Sequence, residues 1–516
     1  MARALAIDPT QPIPLYFQLK TLLLEEILEG RYPPESRLPT EHELCERFGI
    51  SRTPVTRALS ELAEEGVVLR QRRRGTFVNP HWLRRPIDRP ELRIVAPEGP
   101  WGTMVSDAAA EHFQVNLLTV PRPSLRQVLT HAVAEGQAPD LAVLDSAWIP
   151  EFAAAGFLRA IESIDHDWVR DSYEPDFLPP IVTANRYRGS TFGVSAFGDV
   201  AGLWYRRDTF DRLGLAAPET WTDLRAAARS LARDGVSRPI VMPAGSQGWE
   251  TTAYCLTAFL ASNGARVLDA EGVTLDSAAT TQALRFLRTL VDDGLMPVEV
   301  VGYEWNRSTA MLAEKGAAIS FGGSYEAAAL AEAFGVPLLE LWDHAGFVPI
   351  PAGPRGAPAG VAGTMTFGIF SQTDQPRTAM DLLKHVVEPS VLAGIARSTG
   401  RIPARRSAVR IAAKGFPFLS QTAEMLERAA ARPATPSYAR VSAQLQAMLE
   451  AVLTGRLGPA AAARRTAEMI GAITGLPVVH EAGDPRANGR ARSLRKGDVP
   501  PPGFEAGGSR SGTTAT

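Results

Sequence analysis

Cysteine is nearly absent: Cys45 and Cys255 are the two in 516 residues, far apart and outside any CxxC or His-rich spacing. That excludes a disulfide framework and gives no zinc motif; both read as buried structural thiols. An excess of charge of one sign is missing as well. With 54 Lys and Arg against 56 Asp and Glu, the formal net charge is −2, so any nucleic-acid surface must come from local clustering. No stretch of ~18 apolar residues occurs, which excludes a membrane-spanning helix. The opening MARALAIDPTQPIPLYFQ has no apolar core behind a positive charge, no small-residue cleavage site and no early cysteine for a lipid. A cytoplasmic location without membrane attachment is therefore expected. What is present is an ordinary globular composition, 45% apolar and 21% charged, in a chain long enough to need at least two domains.

Leu15, Leu19, Leu22, Leu23 and Ile27 recur at helical spacing and end at Gly30, which predicts a first helix. The proline-rich PPESRLP interrupts it. Thr40-Glu41-His42-Glu43 then has the S/T-x-x-E pattern that satisfies orphan amides at a helix start, so a second helix carries Leu44 and Phe48. Gly49 permits a tight turn, Ser51 is placed to cap a third helix, and Pro54 falls in that helix's first turn, where a missing amide costs little. The third helix divides into faces. Val55, Ala58, Leu59 and Leu62 follow i, i+3, i+4, i+7 and point to a core, while Thr53, Thr56, Arg57 and Ser60 form a small, polar, basic opposite side. Such a face fits a major groove, with Arg donating to a guanine edge and Thr approaching a thymine methyl or a phosphate. VVLRQ and TFVN read as two short strands around Arg72, Arg73, Arg74 and Gly75, a basic wing.

From Pro14 to Val78 the string closely resembles the GntR-family winged helix-turn-helix. The resemblance implies a DNA-binding domain over 10–80 in which Ser51, Arg52, Thr53 and Arg57 belong to the recognition segment. His42 would lie near the phosphate backbone, with Gly75 and Thr76 in the wing. Two positions depart from the family pattern: His42 stands where arginine is common, and Arg73 where glycine often occurs.

Residues 81–91, HWLRRPIDRPE, read as a linker. After it, strands at LRIV, VNLLTV and DLAVLD alternate with helical stretches, which implies an α/β architecture of two lobes, 92–480. From Asp484 the chain is rich in Pro, Gly, Ser and Arg, and a disordered tail, 484–516, is expected. Between these limits PDLAVLDSAWIPEFAAAGFL, RGSTFGVSAFGDVAGLWYRRDTFDRLGLAAPETWTDL, EKGAAISFGGSYE, GTMTFGIFSQ, and TGRIPARRSA followed by PSYARVSAQLQAMLEAVLTG resemble, in order, the sugar-binding proteins of ABC importers. The resemblance implies a periplasmic-binding-protein-like (type II) fold whose lobes close on a ligand.

A sugar site needs flat apolar faces for ring C–H surfaces and charged or amide groups for hydroxyls. The candidates are Asp145 and Trp148 just after a predicted strand, Asp199 before the crossing strand LWY, and Trp249 and Glu250 opening a helix. Tyr303, Glu304 and Trp305 form a second acidic and aromatic group. Ser324 and Tyr325 follow the FGGS glycines, Gly363 begins TMTFGIF, and Arg401 lies in GRIPAR. Catalytic signals are weak by comparison. Ala244-Gly245-Ser246-Gln247-Gly248 has Ala244 in place of the first glycine of a nucleophile elbow. Lysine is scarce, with Lys315, Lys384 and Lys414 outside any Schiff-base context. Paired carboxylates for glycoside hydrolysis are available among Asp145, Asp199, Glu250 and Glu304, but binding accounts for them. The expectation is a DNA-binding regulator that is not an enzyme, needs no cofactor or metal, answers to a sugar, and pairs as a homodimer on a two-fold operator. A sugar-binding transport component or a carbohydrate-active enzyme with an accessory DNA-binding domain is the alternative.

Overall fold

The computed structural model describes residues 7, 15–28, 30–71, 74–80, 82, 91–109 and 112–480. Most of the expected linker and all of the expected tail lie outside them.

Helix α1 (Leu15–Leu28) buries Leu19, Leu23 and Ile27, one residue per turn on one stripe, against α3 (Arg52–Glu64). Between them α2 (Glu41–Phe48) begins with the expected capping box, Thr40 N donating to Glu43 Oε2 at 2.7 Å and Glu43 N to Thr40 Oγ1 at 3.3 Å. Ser51 occupies the cap position of α3, but its side chain makes no capping bond. That correction has a local cause, since Pro54 at the third helical position offers no amide to accept. The four apolar residues foreseen on α3, Val55, Ala58, Leu59 and Leu62, are all buried. Strands β1 (Val68–Gln71) and β2 (Gly75–Val78) pair antiparallel as a hairpin.

Apart from a small hairpin of Arg186–Tyr187 with Ser190–Thr191, the strands of the remaining described residues form two larger sheets joined by two crossing segments. In the first, β3 (Leu92–Pro97) runs parallel to both β4 (Val115–Val120) and β5 (Leu141–Asp145). Helices α4 (Trp101–Ala109) and α5 (Leu125–Ala134) connect these strands. Met365–Ile369 then lies antiparallel to β5, and Val194–Ser195 antiparallel to Met365–Ile369. The second sheet is organised by Phe197–Arg206, which pairs with Ile319–Gly323, Ala345–Val348, Ala362–Gly363 and Ile402–Pro403. Every residue of Phe197–Arg206 is buried, so the run carries no alternation, as expected of a strand covered on both faces.

The chain thus passes between the sheets at Ala196 and again at Thr364. These crossings are tied together: Thr364 Oγ1 donates to Phe197 O at 2.6 Å and Ser146 N donates to Thr364 O at 3.0 Å. Two sequence expectations shift by a few residues here. Asp199 lies inside the crossing strand, paired with Gly363, and Gly363 closes a short strand of the second sheet while Met365 opens the strand in the first. The reason is the crossing itself, because one apolar run serves two sheets and periodicity carries no mark of the change.

Candidate functional site

Two candidate sites are present, one on the winged helix and one between the two sheets. On α3, Arg52, Thr53 and Arg57 are exposed and Thr56 is half-buried, because the apolar stripe turns them outward. The two arginines are not idle. Arg52 Nε donates to Glu41 Oε2 at 2.9 Å, and Arg57 Nε donates to Glu61 Oε1 at 3.1 Å while its guanidinium lies 3.7 Å from the Tyr16 ring centroid. Exposed pairs of this kind contribute ~0 to 1 kcal/mol, so phosphate or a base edge can replace the carboxylates at small cost. His42 is exposed and lies 3.4 Å from Glu46. In the wing, Gly75 has φ +121° and a Cβ there would sit 2.6 Å from Arg37 Nε, a close approach that favours glycine. Leu38 N donates to Thr76 O at 2.8 Å, seating the wing, and Arg74 is exposed at the tip. Arg72 and Arg73 lie outside the described residues. Arg70, which the sequence reading passed over, reaches from the wing to Glu41 Oε1 at 2.5 Å and Ser60 Oγ at 3.0 Å.

The second site is the seam between the two sheets. Asp145 ends β5 on one side and Glu250 opens the helix Trp249–Ala261 on the other. Arg432, 6% exposed, spans them: its Nη2 donates to Asp145 Oδ1 at 2.5 Å and Ser146 Oγ at 3.1 Å, and its Nη1 to Glu250 Oε1 at 3.0 Å. Tyr438 Oη and Ser442 Oγ add hydrogen bonds to Glu250 at 2.5 and 2.7 Å. Burial works against the Arg432 charge, but Asp145, Tyr438 and Glu250 outweigh it and hold its proton firmly.

Beside this bridge, Arg401 Nη1 donates to Asp199 Oδ2 at 3.0 Å and its guanidinium lies 5.4 Å from the Trp101 ring centroid. Burial pushes the Asp199 carboxyl above its usual range, with Arg401 pulling the other way. Gly363 makes room for Tyr254, whose ring would lie 3.2 Å from a Cβ at that position. Burial and then Asp199 and Tyr325 raise the Tyr254 phenol well above its ordinary value, which puts these groups within electrostatic reach of one another. Three buried polar atoms of this group, Trp101 Nε1, Asp199 Oδ1 and Tyr254 Oη, make no hydrogen bond among the described residues. Buried polar groups are rarely left so. A donor, an acceptor and a hydroxyl together suit a ligand whose own hydroxyls both give and take protons.

Of the residues foreseen for this site, Asp199, Tyr325 and Gly363 lie near Tyr254, Arg401 pairs with Asp199, and Asp145 and Glu250 meet on Arg432. Tyr325 Oη lies 3.2 Å from Thr251 Oγ1, and Trp305 stands 6.2 Å from the Tyr325 ring. Trp148 stacks on Phe152 instead. Trp249 is 47% exposed at φ +46°. Ser324 is fully buried and its Oγ accepts Val200 N at 3.0 Å, a tie to the crossing strand. Trp101, Tyr254, Arg432, Tyr438 and Ser442 went unforeseen because they lie within helices or a connecting segment, where nothing in the local pattern separates a lining residue from a core one. A surface pocket lined by Arg206, Asp208, Arg212 and Lys315 lies at the opposite end of the crossing strand from Asp199. Its arginines are already paired, Arg206 with Asp208 and Arg212 with Asp234.

Residues 101–392, more than half the chain, match the family model described as bacterial extracellular solute-binding protein. The chain belongs to that family. Ahead of this solute-binding region, residues 15–78 match the model of bacterial regulatory proteins of the gntR family. Two Bacillus subtilis (strain 168) proteins, the uncharacterized HTH-type transcriptional regulator YurK and the HTH-type transcriptional repressor NagR, are 45% identical over 74 and 73 residues. Each match covers 14% of this chain and only 31% and 30% of those relatives. A putative binding protein of Brucella abortus (strain 2308) is 24% identical over 337 residues, 63% of this chain and 78% of that one. Among solved structures, an ABC transporter solute-binding protein of Thermotoga lettingae bound with alpha-D-tagatose superposes with TM-score 0.67. It is 22% identical and covers 75% of this chain and 100% of that chain, a likeness of fold. A gntR-type winged helix-turn-helix is therefore followed by a two-lobed solute-binding fold of the maltose-binding kind. Both matched families are regulator or solute-binding kinds.

Proposed function

We propose that this chain is a transcription regulator whose affinity for an operator is set by a saccharide held between the two lobes. The observation that carries the reading is the joining, in one chain, of an exposed basic recognition helix to an interlobe seam with unsatisfied buried polar atoms. A neutral polyol matches those atoms: its hydroxyls donate to Asp199 Oδ1 and accept from Trp101 and Tyr254, while the rings of Trp101, Tyr325 and Trp305 offer apolar faces. The reading is of binding without bond cleavage, and Asp145, Asp199 and Glu250 are each engaged by an arginine.

The DNA-reading segment favours a cytoplasmic location even though the matched solute-binding family is described as extracellular. One winged helix reads a half-site, so a homodimer on a two-fold operator is the working assembly. We take the sugar to relieve repression, a sign supported by the repressor NagR among the relatives of the first segment. A saccharide that binds one lobe arrangement more tightly, with a coupling of ~1 to 3 kcal/mol, changes operator affinity ~5- to 150-fold.

The test has two arms. Thermal unfolding is followed against a panel of mono-, di- and trisaccharides and polyols, because a ligand specific to the native state raises its melting temperature. The operator is selected from a random duplex library, and its affinity is measured with and without the stabilising sugar. Reversible loss of operator affinity is expected. Products of sugar cleavage on incubation, or an operator affinity indifferent to a sugar that plainly stabilises the protein, would overturn the reading.

A further inference from the structure

The winged helix does not hang free of the solute-binding fold among the described residues. Helix α1 packs against α5, and Ser124 Oγ, at the end of the loop after β4, donates to Glu25 Oε1 at 3.3 Å. Ser124 is buried and its hydroxyl gives no capping bond to α5. The neighbouring loop, after β3, is joined to this one by Glu98 N donating to Val120 O at 3.3 Å. Burial raises the Glu98 carboxyl, while the charges of Lys20, itself paired with Glu65 at 2.5 Å just after α3, and of Arg122 lower it.

The loop after β3 also reaches the seam. The loop carrying Glu98 leads directly into Trp101, with its unpartnered indole nitrogen and its contact to Arg401. The loop carrying Ser124 holds the exposed Arg122, whose charge is felt at Asp199. One loop therefore carries Trp101 to the ligand group, the other carries Ser124 to the DNA-binding segment, and the bond from Glu98 N to Val120 O joins them. Loops at the carboxyl ends of parallel strands are where such folds meet ligands, and here the segment that reads DNA is docked on them.

We infer that loops 97–101 and 120–125 are the transmission element of this protein: a ligand contacting Trp101 shifts the two joined loops and, through Ser124 and Glu25, resets α1. The inference rests on the proposed sugar-controlled regulation and names the path by which the seam acts. A bistable contact biased by both sites is what coupling requires.

Hydrogen–deuterium exchange on the full-length chain tests it, reading peptides over Leu15–Leu28 and over 97–125. Maltose, maltotriose, D-tagatose and ribitol serve as probes, each checked first by thermal shift. The variants are Ser124→Ala and Glu25→Ala, each of which removes one partner of the hydrogen bond between the loop and α1. Without any saccharide, each variant should speed exchange in α1 by ~2- to 10-fold, the factor carried by one hydrogen bond. With a probe that raises the melting temperature, the wild-type chain should change its exchange in α1, and both variants should keep the thermal shift but lose that change. A thermal shift with α1 unaltered in the wild type, or altered equally in the variants, overturns the transmission element alone. No thermal shift with any of these probes counts instead against the sugar reading on which it rests, while unchanged ligand-free exchange in both variants overturns the dock itself.

Discussion

Replacing Arg432 with methionine should loosen the two lobes, and the size of the effect can be worked from its partners. The guanidinium is 6% exposed, while the Asp145 and Glu250 side chains that it joins are 22% and 33% exposed. Breaking a fully buried ion pair by removing one partner costs ~3 to 5 kcal/mol, mostly through the charge left behind. Here water still reaches part of both carboxylates, so screening discounts the loss to ~2 kcal/mol. Tyr438 and Ser442 continue to hold Glu250, but nothing in the bridge replaces the tie to Asp145 across the seam. Urea unfolding at neutral pH should show the lower midpoint, and small-angle scattering should show a larger radius of gyration without saccharide. A double-mutant cycle with Glu250→Gln isolates the bridge, since the second substitution should then cost less than it does in the wild type. Unchanged stability and unchanged radius in the folded Arg432→Met protein, with additive effects in the cycle, would refute the claim that this residue holds the lobes.

Three further outcomes are expected. Glu326 is buried behind Tyr325 with Oε1 unpartnered, and burial pushes its carboxyl up to about 7 from 4.5; the native state keeps a proton that the unfolded chain has released, so this group's contribution declines as pH rises from 4.5 to about 7 and is flat beyond. At 1.36 kcal/mol per unit the decline is at most ~3 kcal/mol, and Glu326→Gln should abolish it and be the more stable protein at pH 8; parallel stability–pH curves for the two proteins contradict this. On DNA, Arg57→Ala should lose ~1 to 3 kcal/mol on the selected operator and relax discrimination, whereas Arg74→Ala should weaken all duplexes alike and reduce the salt slope by ~0.9; equal losses for Arg57→Ala on operator and random DNA remove its base-reading role. In the seam, Asp199→Asn should lower saccharide affinity ~10- to 150-fold and Tyr254→Phe ~2- to 10-fold, the ranges for charged and neutral hydrogen bonds, by calorimetric titration; unchanged affinity in both moves the ligand elsewhere.

Features that depend on neighbours along the chain could be read before any folding was known. The capping box at Thr40 and Glu43, the apolar stripe Val55, Ala58, Leu59 and Leu62 with its opposite basic face, and the strands LRIV, VNLLTV and DLAVLD all follow from spacing within one or two turns or a few strand residues. For the same reason the exposed side of α3 opposite that stripe, with Arg52, Thr53 and Arg57, was legible from spacing alone, since one short helix carries it. The seam was legible only in part. Charged and aromatic residues that interrupt a pattern at element ends, such as Asp145, Glu250 and Tyr325, announce themselves, but Trp101 and Tyr254 sit at helix positions where a core residue looks the same. That the chain changes sheets at Ala196 and leaves Asp199 inside Phe197–Arg206 is set by packing, because a strand buried on both faces has no alternation to mark the change. Only the tertiary structure joined Arg432 to Asp145 and Glu250, partners 287 and 182 residues away in sequence, and set Ser124 against Glu25 across 99. Pairings at such separations are fixed by how whole elements pack, and no local preference of the chain encodes them.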